Sequence, residues 1–146
     1  MVMSLPIAFV LDNSVTMAWC FPDENNAYAE MVLRSLRSSA AVVPAIWSLE
    51  VANTLLVGER RNRLSISESG QFIGLLSKFP IFIDEKTSDQ ALKISIELGR
   101  NYQLSSYDSC YIELSLRLGL PIATLDEKLK KVSIQLGIAE YKPAHE

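Results

Sequence analysis

The sequence predicts a single α/β domain in which helices cover both faces of a central parallel sheet. Short apolar runs of the kind found in buried strands alternate along the chain with longer segments of helical periodicity. Strands connected in this way run parallel, and their helices form outer layers on both sides of the sheet. The chain has 146 residues, of which 49% are hydrophobic and 21% charged, and it shows no internal repeat or linker. We therefore expect one three-layer globular domain over residues 1–146.

Five strands are predicted, each from a short run rich in apolar residues. The first run ends on Asp12, and the second is followed by Pro44, which we place at the first position of the next helix. The last run is expected to be an edge strand, and residues 142–146 a frayed tail. The predicted strands are 7–11, 41–43, 82–83, 122–125 and 138–141.

Seven helices are predicted between and after these runs. Several of them end at a glycine or before a proline, as helices commonly do. The segment from Thr87 to Gln90 matches a capping box, so we expect a helix to begin there and to end at Leu98, before Gly99. The predicted helices are 15–19, 27–36, 45–61, 67–79, 87–98, 105–118 and 126–137.

Charge and reactive residues exclude several classes of function. A net charge of −3 and a pI near 5.2 give no overall attraction for nucleic acid, so a phosphate-bearing substrate needs a local basic patch or bound cations. The sole histidine, His145, lies in the tail, which argues against a histidine-based ribonuclease. No GxxxxGKS or GxxxxGKT run is present, which argues against a P-loop NTPase. Cys20 and Cys110 are too isolated to predict a zinc site or a disulfide framework. The first residues have no signal or membrane segment, so we expect a cytoplasmic protein without membrane contact.

Three aspartates lie where a parallel sheet would bind a ligand. Asp12 ends the first strand, Asp126 follows the fourth, and Asp108 lies in the first turn of the helix before that strand. Open α/β sheets bind ligands at the carboxyl ends of their strands. Each aspartate taken singly is also explained as a helix cap, as in the pattern Ser105-x-x-Asp108.

Glu50 is a fourth candidate, because its helix face is not a solvated, charged one. Its neighbours on that face are apolar or small and polar, including Trp47. Burying an unpaired carboxylate costs several kcal/mol, so either Glu50 is functional or its carboxylate is bonded to Asn53 or Thr54. Clustered carboxylates repel one another unless a hard cation neutralises them. A metal site therefore explains the four acids together.

Four segments in register carry a resemblance to a known family. They read LDNSV, IWSLEVAN, SSYDSCYIELS and LPIATLDEKL, in this order. From Phe9 to about Ile138 the chain resembles the PIN-domain nucleases, and within them the toxins of bacterial VapBC-type toxin–antitoxin pairs. The resemblance implies strand order 3-2-1-4-5 and cleavage of single-stranded RNA with Mg²⁺ or Mn²⁺. It also implies that the metal-binding and catalytic residues are Asp12, Glu50, Asp108 and Asp126.

The resemblance further implies supporting hydroxyls, an antitoxin partner and a homodimer. The hydroxyls match Ser14 and Thr124. We expect the dimer to form through apolar helix faces that include Met31, Phe72, Ile73 and Leu76. Many relatives carry another acid a few residues after the last one. Here only Glu127 is near, and lysines follow at 128, 130 and 131, which leaves one or two metal ions open.

Two questions remain open from the sequence. Arg60, Arg61 and Arg63 either contact RNA phosphates or antitoxin acids, or they form a solvated helix end favoured by the helix dipole. The alternative function is a PIN-like protein-binding or RNA-binding module without cleavage. The complete set of acids argues against it, because a binding module gains nothing from four repelling carboxylates.

Overall fold

The structure, a computed structural model, describes residues 5–144, so His145 lies outside the described residues. Four short strands form its sheet: β1 (Ile7–Leu11), β2 (Ala40–Val43), β3 (Ile81–Ile83) and β4 (Ile122–Ala123). All pair in parallel, in the order β3-β2-β1-β4. The predicted parallel α/β fold is confirmed.

The predicted fifth strand is reduced to a single bridge. Glu140 pairs in parallel with Ile122, supported by a 3.0 Å bond from the Ile122 N–H to the Ala139 carbonyl and a 2.8 Å bond from the Tyr141 N–H to the Ile122 carbonyl. β4 is itself only two residues long, so it offers no longer edge to pair with. The order 3-2-1-4 is as predicted. The last segment lies beside β4 as expected, but the prediction of a full strand there is wrong.

The connections between strands are mostly helical. Within residues 5–144, eight α-helices accompany a 3₁₀ turn at Pro22–Glu24 and a π-helical turn at Ala91–Ser95. The α-helices are α1 (Asn13–Ala18), α2 (Ala27–Ser35), α3 (Ile46–Arg60), α4 (Ile66–Leu76), α5 (Thr87–Gln90), α6 (Ile96–Tyr102), α7 (Ser106–Leu118) and α8 (Glu127–Gln135). None of those in the described part of the chain is long and apolar enough to cross a membrane. Ala45 caps α3, so Pro44 precedes the helix and is not its first residue as predicted.

The helical segment after β3 differs most from its prediction. Thr87 makes no capping box: its hydroxyl accepts a 2.9 Å bond from the Ala45 N–H and so ties this segment to the start of α3. Gly99 does not end the helix, which continues through α6 to a left-handed residue, Gln103 (φ 57°). A Cβ on Gly99 would lie 3.0 Å from the Leu104 carbonyl oxygen. A glycine is therefore needed here because the backbone of Leu104 packs closely against it, and not because the helix ends at this position.

The core joins β1 to α7 and holds the carboxyl edge of the sheet in place. Residues 9–11 of β1 are fully buried, as are Tyr111 and Ile112 on α7. Tyr141 stacks on Phe9 with ring centroids 3.9 Å apart, and its carbonyl accepts a 2.6 Å bond from the Tyr28 hydroxyl. Close packing of this kind limits side-chain movement, so the groups at the end of β1 have a well-defined frame.

Candidate functional site

The four predicted acids all lie at the carboxyl edge of the sheet. Asp12 directly follows β1, and Asp126 immediately precedes α8, three residues after β4. Glu50 lies in the second turn of α3, and Asp108 in the first turn of α7. Asp12 is buried, and the other three are half-buried. The parallel topology thus collects acids from distant parts of the chain at one edge.

Asp12 is held by two hydroxyls. Its Oδ2 accepts a 2.6 Å bond from Ser14 Oγ and a 2.7 Å bond from Thr124 Oγ1. Both hydroxyls also accept backbone bonds, Ser14 from the Leu125 N–H (2.9 Å) and Thr124 from the Asp126 N–H (3.0 Å). The ends of β1 and β4 are therefore joined through the Asp12 carboxylate. Asp12 occupies the cap position of α1, but its side chain does not cap that helix.

The capping interpretation holds for Asp126, whereas at Asp108 only half of the predicted capping box forms. Asp126 Oδ1 accepts a 3.0 Å bond from the Leu129 N–H and so caps α8, which leaves Oδ2 outside this bond. In α7 the cap is the Ser105 hydroxyl, which accepts from the Asp108 N–H at 3.1 Å. The Asp108 carboxylate is not the capping group there, so capping does not explain why this residue is acidic.

Glu50 is bonded to a residue that the sequence did not single out for this contact. The buried Tyr111 hydroxyl donates a 2.6 Å bond to Glu50 Oε1. The Thr54 hydroxyl bonds to the Glu50 backbone carbonyl at 2.9 Å, not to its carboxylate. The alternative in which Asn53 or Thr54 satisfies the Glu50 carboxylate is therefore wrong.

The acids act on one another electrostatically. Burial raises the pKa of Asp12, against the bonds from Ser14 and Thr124, and the charge of Asp126 raises it further. Burial also raises the pKa of Asp108, to which the charges of Asp126 and Asp12 add. The pKa of Glu50 is raised by burial first and then by Asp12 and Asp108, while the Tyr111 bond lowers it. The four carboxylates therefore form one electrostatic cluster in which ionisation of one opposes ionisation of the next.

The donor atoms of this cluster suit a hard cation. All are carboxylate oxygens, which favour Mg²⁺ or Mn²⁺ over softer metals. Within residues 5–144, no three Asp, Glu, His or Cys side chains lie close enough to hold one ion between them. Mg²⁺ commonly keeps several waters and uses one or two carboxylates together with substrate phosphates. The residues present therefore fit a partly hydrated ion rather than one enclosed by protein.

A comparison with known protein families matches residues 9–135 to the PIN domain. The chain belongs to the PIN domain family. It is similar to Ribonuclease VapC3 of Pyrobaculum aerophilum, with 27% identity over 120 residues that cover 82% of this chain and 90% of that protein. Its fold is also similar to that in the crystal structure of PAE2754 of the same organism, with a TM-score of 0.62 and 19% identity over 91% of this chain and 98% of that one. The resemblance inferred from the four sequence segments is confirmed.

The three arginines of this PIN domain have different environments. Arg60 and Arg61 are exposed at the end of α3. Arg63 donates two 3.0 Å bonds to the Asp23 carboxylate, and its guanidinium lies 4.0 Å above the Phe21 ring centroid. Arg63 also lines a cavity of about 430 Å³ together with Ser14, whose hydroxyl donates to Asp12. The ion pair with Asp23 and the contact with the Phe21 ring hold Arg63 in place. Arg63 is therefore not simply a solvated residue near the end of a helix.

Sequence reasoning missed two residues that act on the acids. Tyr111 is one of them, and its spacing of three from Asp108, which places it beside that acid on α7, is the signal that could have found it. Lys128 lowers the pKa of Asp108, after burial and the other two acids have raised it. Its ammonium donates to the Gln103 carbonyl at the end of α6. The sequence shows that lysines follow Asp126, but it does not show that one of them lies close enough to lower the pKa of Asp108.

Proposed function

We propose that this PIN domain is an endoribonuclease that cleaves single-stranded RNA with Mg²⁺ or Mn²⁺. The observation that carries the proposal is the single electrostatic cluster of Asp12, Glu50, Asp108 and Asp126 at the carboxyl edge of the sheet. A cluster of oxygen ligands that repel one another binds a hard cation favourably. The similarity to a protein named a ribonuclease supports the same reaction class.

One or two of the four acids would contact the partly hydrated ion directly, the others would add negative charge around it, and neighbouring side chains would orient them. A bound ion would lower the pKa of a water molecule and stabilise negative charge on the phosphate. Ser14 and Thr124 hold Asp12 through Oδ2, and the cap of α8 holds Asp126 through Oδ1. We expect Arg60 and Arg61 to contact RNA phosphates or antitoxin acids more readily than Arg63, because Asp23 already binds the Arg63 guanidinium.

Cleavage of a labelled single-stranded RNA by the purified protein tests the enzymatic proposal. Activity should require Mg²⁺ or Mn²⁺, disappear in EDTA and fall on a fully duplex RNA. Asp108→Asn should reduce the rate by about 100-fold or more, because it removes a charge and a metal-binding oxygen. Asp89→Asn, an equal change at an exposed acid on α5, is the matched control and should cleave normally.

Three results of that experiment would contradict the proposal. Wild-type activity in Asp108→Asn would show that this acid is not part of the active site. Cleavage that persists in EDTA would show that the reaction does not need a metal ion. A folded protein that binds RNA but does not cleave it would favour the alternative of a binding module.

We also infer that the protein acts in the cytoplasm as the toxin of a toxin–antitoxin pair, with an antitoxin segment over the acidic edge. The support is the similarity to Ribonuclease VapC3. Induced expression should arrest growth, and co-expression with a small DNA-binding protein encoded next to its gene should restore it. Asp108→Asn expressed at the same level should be harmless. Growth arrest by that variant would show that toxicity does not come from RNA cleavage.

A homodimer through apolar surfaces of α3 and α4 completes this proposal. Leu49 and Ile73 are 67% and 54% exposed and lie on these helices. Phe72, which we expected on the dimer surface, is only 7% exposed and belongs to the core instead. Sedimentation at micromolar concentration should show a dimer that Leu49→Glu weakens. A monomer in the wild type would contradict this part and leave the enzymatic proposal intact.

A further inference from the structure

Tyr111 lies beneath the acidic edge and contacts Glu50 directly. Its side chain is fully buried, and its hydroxyl donates a 2.6 Å bond to Glu50 Oε1. A buried hydroxyl without a partner is unfavourable, and so is a partly buried carboxylate without a donor. Each of these groups therefore satisfies the other. The contact joins α7 to α3 across 61 positions of sequence.

The same helix supplies a second acid of the cluster. Asp108 and Tyr111 are three positions apart on α7, so their side chains lie on neighbouring parts of one helix face. The backbone of α7 there is well anchored, because residues 109–115 are all buried. α7 thus contributes the Asp108 carboxylate itself and, through the Tyr111 phenol, holds the carboxylate of Glu50.

Packing alone does not account for the hydroxyl. A phenylalanine would fill the core with the same ring and would carry no hydroxyl in need of a partner, but it would leave Glu50 without this donor. Glu50 has several rotatable bonds and is half-buried, so without this bond its carboxylate could turn away from the other acids. Hydrogen-bond donors behind metal-binding carboxylates commonly serve to restrict such movement.

We propose that Tyr111 is a positioning residue that holds Glu50 through Oε1 and leaves its other oxygen available to the metal ion. This inference rests on the proposed metal-dependent function. In this role Tyr111 acts on the ion through the Glu50 carboxylate rather than by contact with it. Removal of its hydroxyl should therefore weaken metal binding by about 10-fold, the lower end of the usual effect of a group behind a metal ligand.

Mn²⁺ titration of the purified full chain, followed by electron paramagnetic resonance, tests the proposal without using activity. Tyr111→Phe keeps the ring and should raise the Kd for Mn²⁺ about 10-fold. Tyr28→Phe is the matched control, because the Tyr28 hydroxyl also donates a 2.6 Å bond, but to the Tyr141 carbonyl. This variant should bind Mn²⁺ as the wild type does. Thermal melts in chelator report structural damage separately, since a merely structural role would lower the melting temperature and leave the Kd unchanged.

A double-mutant cycle with Glu50→Ala tests whether Tyr111 acts through Glu50. With the glutamate side chain removed, adding Tyr111→Phe should change the Kd for Mn²⁺ no further. Wild-type affinity in a folded Tyr111→Phe, or an equal loss in both backgrounds, would overturn the positioning proposal and leave the metal-dependent function standing. A wild-type protein that binds no Mn²⁺ would overturn both, so the two failures are distinguishable.

Discussion

Asp126 combines two functions that one pair of substitutions can separate. Its Oδ1 caps α8 through the Leu129 N–H at 3.0 Å. Its charge raises the pKa of both Asp12 and Asp108, in addition to the effect of their burial. Asparagine caps helices about as well as aspartate, whereas alanine does not. Asp126→Asn therefore removes the charge and keeps the cap, and Asp126→Ala removes both.

The expected magnitudes differ with and without metal. In chelator, Asp126→Ala should be about 1 kcal/mol less stable to unfolding than Asp126→Asn, because both variants lose the charge and only alanine loses the cap. This difference corresponds to about 2–4 °C in Tm for a domain of this size. Asp126→Asn should melt no lower than the wild type, because it relieves repulsion with Asp12 and Asp108. For a Kd of ~1 mM, ~10 mM Mg²⁺ should stabilise the wild type by about 1.4 kcal/mol. Both variants should lose most of that gain.

Thermal melts in Mg²⁺ and in chelator provide the assay. Ser65→Ala is the control, because Ser65 caps α4 in a capping box with Glu68 and has no charge. It should lose about 1 kcal/mol in both conditions and keep the whole metal-dependent rise. A rise of wild-type size in Asp126→Asn would refute the reasoning and make Asp126 a helix cap only.

Two further predictions concern charge. Because burial raises the pKa of Asp12, its contribution to the unfolding free energy is fully present below its unfolded pKa of about 4 and is lost as pH rises through the folded pKa. The stability of Asp12→Asn relative to wild type should thus grow from about pH 4 upwards in chelator, and melts that show a constant difference would contradict this. Arg117 bonds to buried Glu113 (2.6 Å) and to Asp84 (2.7 Å), so Arg117→Ala should cost about 3 kcal/mol in urea denaturation. Arg100→Ala, which breaks an exposed pair, should cost less than about 1 kcal/mol, and equal losses would mean that the Arg117 pairs are no stronger than surface ones.

Features that depend on a few neighbouring residues were predictable from the sequence. The strand Ile7–Leu11 has its predicted bounds. A short apolar run of this length is buried most simply as one strand of a sheet. Gly119, at φ 66°, ends α7 as predicted, since glycine adopts this left-handed conformation at little cost. The placement of Asp12 and Asp126 at one edge followed from the parallel topology alone. The four sequence segments also predicted membership of the PIN domain family.

Tertiary contacts decided where helices and strands end. Gly99 is a local stop signal, yet the helix continues to Tyr102; a Cβ at Gly99 would lie 3.0 Å from the Leu104 carbonyl oxygen, so the close approach of the backbone accounts for this glycine. The capping box at Thr87 was lost for a similar reason, since its hydroxyl bonds to the Ala45 N–H on another element. The fifth strand shrank to one bridge because its neighbour, β4, is only two residues long.

The sequence by itself determined which acids the chain carries and which edge of the sheet they reach. Only the tertiary structure decided which groups hold them, as Thr124 holds Asp12 across 112 positions and Tyr111 holds Glu50 across 61. Spacing along the chain cannot reveal such pairs, because a hydrogen bond forms wherever the fold brings a donor and an acceptor together away from water. Burial also raises the pKa of Asp12, Glu50 and Asp108, and burial is a property of the packed molecule rather than of any short segment.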